Sequence, residues 1–567
     1  MNRNHPPGFR QARHRAAANA PHPSHMPQAP SSKSFLVQGS ILAAAGIIVR
    51  FIGLLYKIPM TRALGKAGIG YYNTAYEIYN IGLILSSYSL PLAISKLIAG
   101  KRVRKQYQDA KRVFRSGMIF GLTVGSLMAL FLFFEADSIT AQIFHSPGSA
   151  LPLKVMAPTI LVFSVMGVIR GYFQGLGNMI PTSLSQIIEQ VVNAIVSIAA
   201  SYTFMKWFAQ RETPESYGAA GGTLGTLSGA VAAFLFLLFL LYLYRKSHSR
   251  MLRRPQAIPV ESWTAVYAGL FLTLTPIILS QFVYQLSGTV DNALFGWIMS
   301  EKGLTEKERM SLLGVYGGEY RLLSNVPVAI ASSLGASMIP SIVNSRSQRK
   351  LSEVHHKIRI TIKFNMLIAI PCAVGMGVLA APIMHMIFHD DSELSANLMR
   401  IGALAVVFFS LSTVTNAVLQ SIDRMRQSVT HSAISLAIHI GLVYVMLKHW
   451  DWNVYGLVAG NVTFALVVCV LNWISIGRAL RYRQEVMTTF FLPLFASVLM
   501  GAVALGAYTG VYALTKTISL AMAVSVPLAM VTYGVLIIFL KAVTEEELAE
   551  MPFGRKMVAL CRKARLM

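Results

Sequence analysis

Acidic residues are scarce in this chain: 24 Asp and Glu stand against 50 Lys and Arg in 567 residues, and charged residues of both signs make up only 13%. A soluble globular protein carries about twice that charged fraction. With 54% hydrophobic residues and a mean hydropathy of +0.54, an ordinary soluble enzyme is excluded. Cysteine is nearly absent. Cys372, Cys469 and Cys561 are far apart, so neither a disulfide framework nor a zinc spacing exists. There is no nucleophile elbow, no phosphate-binding glycine loop and no HExxH, which leaves no catalytic constellation and predicts a protein that is not an enzyme. The net charge of +26 does not mark a nucleic-acid binder, because the basic residues fall in short runs between apolar stretches rather than on one soluble face.

What remains is a chain of long apolar runs. About 20 residues of helix cross a bilayer, and fourteen runs of that kind fit between residues 35 and 541, predicting an all-α polytopic membrane protein. The seventh run, 264–298, is too long for one straight crossing and is expected to tilt, bend or project. Residues 1–34 lack acids and lack the apolar core of a signal peptide; they read as a disordered cytoplasmic tail, within which Met26 offers an alternative start. With the N-terminus inside, cytoplasmic segments hold 35 of the 50 basic residues and the opposite loops nine. That bias places both termini in the cytoplasm.

An internal repeat divides the runs. Gln174 and Met179 align with Gln420 and Met425 at an offset of 246, and Gly70, Tyr72 and Tyr76 with Gly314, Tyr316 and Tyr320 at 244. Helices 1–6 (35–244) and 7–12 (264–477) are therefore two copies of a six-helix lobe, related by a parallel pseudo-two-fold axis along the membrane normal. Helices 13 and 14 (488–541) are an addition, followed by a basic cytoplasmic tail, 542–567.

Several charges sit inside the apolar runs. Arg50 lies in the first, where an arginine costs at least ~2.5–3.5 kcal/mol and so marks function. Lys57 and Arg62 follow it. In the fifth helix Glu189 and Asn193 share one face with Gln186, Gln190 and Ser197; in the seventh Gln281, Gln285 and Asp291 form a similar stripe with Tyr284, Gly288 and Asn292. Glu77 and Arg321 occupy equivalent places in the two halves, so an acid in one meets a base in the other. Glu319, two residues before Arg321, joins Glu77, Glu189, Asn193, Gln281, Gln285 and Asp291 as a candidate for cavity, gating or coupling roles. Lys96 and Arg170 are expected to snorkel at helix ends, and His385, His431 and His439 have no metal-ligand spacing.

The stretches "VRFIGLLYKIPMTRALGKAGIGYYNTAY", "SSYSLPLAISKLIA" and "YRLLSNVPVAIASSLGASMIPSI" resemble the polysaccharide-exporter branch of the multidrug/oligosaccharidyl-lipid/polysaccharide superfamily. Within it they are most similar to the stage V sporulation protein B and YtgP group, relatives of the MurJ lipid II flippases. The resemblance implies a two-lobed, alternating-access transporter of the bacterial cytoplasmic membrane that carries an undecaprenyl-diphosphate-linked glycan outward for wall or spore-cortex synthesis. It implies a diphosphate site built from Arg50, Lys57, Arg62 and Arg321, with a groove for the polyprenyl tail at helices 13 and 14. Arg50 with Gly53 matches the Arg-x-x-Gly of such first helices; the next basic residue expected there is replaced by Tyr56, with Lys57 beside it. No cofactor is implied; a coupling cation, proton or sodium, and any wall-synthesis partner are left open. A drug/cation antiporter of the same superfamily and a non-transporting scaffold are the alternative readings.

Overall fold

The computed structural model describes residues 32–252, 259–550 and 558. The expected N-terminal tail to residue 31, with Met26, and most of the C-terminal tail lie outside them. Among the described residues thirteen helical stretches are long and apolar enough to cross a membrane. The first, Ala44–Val103, is 60 residues long, about 90 Å as a straight helix, and holds two crossings. The break is Gly65, whose φ of 66° and ψ of −179° are open to glycine and strained for other residues. Folding back there brings the Lys57 ammonium within 6.0 Å of the Tyr72 ring and 5.3 Å of the Tyr76 ring. On a straight helix, 15 residues would separate 57 and 72 by about 22 Å.

The fourteen crossings are α1 (32–64), α2 (66–103), α3 (Tyr107–Phe134), α4 (Ala150–Gly175), α5 (Ile180–Trp207), α6 (Pro214–Leu252), α7 (Trp263–Glu301), α8 (Glu306–Ser347), α9 (Leu351–Val378), α10 (Glu393–Ser421), α11 (Met425–Lys448), α12 (Asn453–Leu480), α13 (Met487–Thr515) and α14 (Ile518–Phe539). No long loop follows α1, because one left-handed glycine is enough to turn the chain. The α7 helix runs unbroken for 39 residues through Pro276, longer than a bilayer requires.

Loops alternate between a basic face, with 104–106, 348–350, 422–424 and 481–486, and a far face, with Gly65, 208–213, 302–305 and the short helix Ala380–Phe388. The repeat is visible in contacts across its axis. A Cβ on Gly70 would strike the Met310 carbonyl oxygen, and one on Gly314, the equivalent of Gly70, would strike that of Lys66, the equivalent of Met310. Glycine at both places lets α2 and α8 cross backbone to backbone. The α13–α14 pair packs on α9 through Leu379, Met500, Ala504 and Met522, with Gly501 against Val374. Beyond α14, Glu547 on the short helix Glu545–Glu550 pairs with buried Lys363 of α9 at 2.6 Å.

A polar cavity between the two lobes

Two interruptions of regular helix flank the centre of the molecule: α2 widens into a π-turn at Ile84–Tyr88 and α8 at Val315–Tyr320. Such turns re-aim side chains and recur at functional sites. Between α2 and α8 lies a cavity of ≈ 580 Å³. Lys57 enters it from α1, Asn73, Glu77 and Asn80 from α2, Gln281, Gln285 and Asn292 from α7, and Tyr316, Arg321 and Asn325 from α8. Asn416 and Gln420 of α10, Ser428 and Ser432 of α11 and Asn461 of α12 complete a wall dominated by amides and hydroxyls. Gln420 and Ser428 flank the 422–424 loop, so the cavity reaches the basic face.

The far face is sealed between the lobes. Arg62 donates from Nε to the Ile387 carbonyl at 2.7 Å and from Nη2 to that of Met386 at 2.9 Å, capping the C-terminus of Ala380–Phe388. The Lys66 ammonium is 2.8 Å from Asp390 and 3.2 Å from Ser392 Oγ. Glu306 accepts from the Gly148 N–H at 2.8 Å, Lys307 pairs with Glu215 at 2.6 Å, and Arg309 donates to the His145 carbonyl at 2.7 Å. Toward the basic face, polar ties between lobes include Arg50 Nη1 to the Ala329 carbonyl, 3.0 Å, Lys101 and Arg112 with Glu261 in the segment before α7, and the Glu261 N–H to Asp109, 2.9 Å.

The candidate residues thus separate by place. Lys57, Glu77, Gln281, Gln285 and Arg321 line the cavity. Arg50 is exposed beside α8 and Arg62 belongs to the far-face seal, so neither is among the lining residues. Glu189 lies in a buried pair: Arg170 donates to it at 2.8 Å and to Ser185 Oγ at 2.9 Å. Arg170 is 8% exposed and does not snorkel, because α5 supplies a carboxylate next to it. Asn193 is buried, donating to Tyr56 and accepting from Ser197. Asp291 is 1% exposed, with His439 Nε2 at 2.6 Å, Asn461 at 3.2 Å and the Tyr316 hydroxyl at 3.5 Å; Tyr316 and Asn461 stand between it and the cavity. Glu319 accepts from Ser395 at 2.7 Å on the far-face side.

In the cavity, Arg321 Nη1 is 3.2 Å from Glu77 Oε1, and its guanidinium lies 5.6 Å from the Tyr316 ring centroid. Lys57 faces Tyr72 and Tyr76 and makes no ion pair among the described residues. The pattern of polar residues within apolar runs that pointed to α5 and α7 also marks Asn416 and Asn461. The partners of Lys66, Lys307 and Arg309 carry no such signal, since they are 92 to 326 residues away.

Two pseudo-symmetric helical lobes enclosing a polar cavity, sealed at one face and open toward the other, define a membrane transporter. The chain belongs to the polysaccharide biosynthesis protein family, whose sequence profile matches residues 36–346; the MatE profile matches residues 276–445. It is similar to stage V sporulation protein B of Bacillus subtilis (strain 168), 23% identical over 93% of this chain and 99% of the relative. It is similar as well to the lipid II flippase MurJ of the same organism, 23% identical over 82% and 87%. The second of these relatives is by name a flippase, a transporter and not an enzyme. In fold it matches a solved lipid II flippase MurJ in an inward closed conformation, with a TM-score of 0.64, 12% identity and coverage of 87% and 97%. A multidrug resistance MATE family transporter in an inward-facing conformation gives 0.62, 15%, 77% and 99%.

Proposed function

We propose that this transporter is a flippase for an undecaprenyl-diphosphate-linked glycan, lipid II-like, which it takes from the cytoplasmic leaflet and releases on the outer one. The observation that carries the reading is the cavity wall: Lys57 and Arg321 beside a shell of amides and hydroxyls. A guanidinium bonds phosphate oxygens through its planar fork and stays charged at any working pH, while the ammonium adds a second positive point. Asparagine and glutamine both donate and accept, which suits the hydroxyl and amide groups of a sugar or peptide.

The positive-inside rule puts the basic face in the cytoplasm, so the cavity mouth meets the leaflet on which such precursors are built. Carrying an anionic head outward across an inside-negative potential gains ~2.3 kcal/mol per charge per 100 mV. The same potential favours return of an empty cationic cavity. Voltage therefore biases the cycle with no bound cofactor.

The test is depletion of the protein followed by identification of the undecaprenyl-linked species that accumulate on the inner leaflet. The expected result is one diphosphate-linked glycan, restored to the outer leaflet by the wild-type chain and not by Arg321→Gln. Unchanged lipid distribution, with altered efflux of organic cations instead, would support the antiporter.

A further inference from the structure

Glu77 and Arg321 are equivalent residues of the two repeats, 244 positions apart, and they touch. Equivalent residues can touch only at the axis that relates them. The pair therefore stands where the lobes pivot against each other, one charge from each. Two further observations set it apart from the far-face seal. Arg321 uses one N–H on one carboxylate oxygen, and its other N–H groups have no hydrogen-bond partner among the described residues, although the side chain lines the cavity. Both members of the pair also line the cavity, so a solute there reaches each of them, and only a glycine leaves space for the pair on its other side. Gly288 of α7 lies against it, and a Cβ there would sit 3.1 and 3.3 Å from the Glu77 carboxylate oxygens and 3.4 Å from Arg321 Nη1.

A phosphate entering this cavity needs the guanidinium that Glu77 holds, and two anions within a few ångströms repel each other. We propose that Glu77 is a resident anion: in the empty cavity its carboxylate occupies the place on Arg321 that a substrate phosphate takes in the loaded one, so that binding exchanges one for the other and breaks the lobe-to-lobe tie. The exchange links occupancy to motion. An empty transporter keeps its lobes pinned at the axis, and a loaded one holds the same arginine through a ligand free to move with either lobe. This rests on the diphosphate reading above and adds to it the reason an acid stands in an anion site.

The experiment is a binding titration of full-length protein in nanodiscs with farnesyl diphosphate as probe. It is combined with the distance between spin labels at positions 104 and 348, on the basic-face loops of the two lobes. Glu77→Gln is expected to bind about tenfold more tightly than wild type, since a competing charge is gone, and to show without ligand the distance distribution that wild type reaches only when loaded. Arg321→Gln is expected to lose binding. Equal or weaker binding by Glu77→Gln, while wild type binds and Arg321→Gln does not, overturns the counter-ion role and leaves the diphosphate site standing. Absence of binding in wild type overturns both. Should Glu77→Gln fail to insert, Glu77→Asp decides: its shortened side chain retracts the carboxylate, and affinity that does not rise overturns the proposal.

Discussion

At the far face, basic side chains that cross between the lobes end on oxygens of the protein itself: Arg62 on two carbonyls, Lys66 on Asp390 and Ser392, Lys307 on Glu215, Arg309 on the His145 carbonyl. One level deeper, Lys57 ends on the faces of two tyrosines, and Arg321 reaches a single carboxylate oxygen 3.2 Å away. The two levels draw on the same residue types, yet the inner cations line a cavity, and Arg321 there makes a single hydrogen bond among the described residues. A satisfied cation holds parts together. An unsatisfied one, facing a cavity that water and solutes reach, recruits an anion. On the proposed reading the far-face charges are the gate and the inner ones the site.

The largest way to sharpen the contrast is to neutralise one residue at each level. Arg321→Gln should lower transport of lipid-linked glycan by about 100-fold, the order expected when a charge-assisted contact to phosphate is removed. Lys57→Gln should cost roughly tenfold, because an ammonium contributes charge without the paired fork. Neither should open the far face, and increased labelling of a far-face cysteine in either variant would blur the distinction. Asp390→Asn should do the reverse: a cysteine at Ser146, a buried far-face position beside Met310, should label several-fold faster with an impermeant thiol reagent, while affinity for a diphosphate stays within about twofold.

A smaller effect concerns pH. Burial raises the Asp390 carboxyl, but the Lys66 ammonium and the Ser392 N–H and hydroxyl outweigh it and hold it below the usual carboxylate range. A carboxylate lowered in this way contributes fully above its ordinary pKa and is lost only as pH falls through the lowered value. Relative to a fully exposed reference cysteine, which corrects for the thiolate fraction, labelling at position 146 should therefore be flat from about pH 5 to pH 8 and rise only below roughly pH 4, where ordinary carboxylates protonate. A rise near pH 6 would mean that a titrating group other than Asp390 controls the seal. Least demanding is orientation: in intact cells a cysteine at Glu212, exposed on the far face, should label and one at Gln348, exposed on the basic face, should not.

Much of the fold was legible in the sequence because hydrocarbon thickness leaves few options for apolar runs of this length. The repeat was legible too, and Gly70 and Gly314 mark its axis as close backbone contacts. The two crossings of the first hairpin were legible as well, but not the tightness of its turn, since a break confined to Gly65 leaves no loop to read. For the site, a charge in an apolar run announces that it must be satisfied but not by whom. Arg50, Lys57, Arg62 and Arg321 look alike in sequence. Only the fold separates Arg62, which caps a helix 324 residues away, from Arg321, which faces the cavity. Glu189 and Asp291 were legible as buried acids; the partners that neutralise them, Arg170 and His439, come from other helices.

The central claim is that the inner cations, not the buried acids, carry the substrate. Purified protein in liposomes with an imposed inside-negative potential tests it directly, through exposure of an undecaprenyl-diphosphate-linked glycan to an external glycan-modifying enzyme, with organic-cation efflux followed in the same vesicles. The account predicts that wild type exposes the glycan, that Arg321→Gln abolishes exposure, and that Asp291→Asn retains at least part of it. Glycan exposure that is unchanged by Arg321→Gln, together with cation efflux that vanishes with Asp291→Asn, would contradict it.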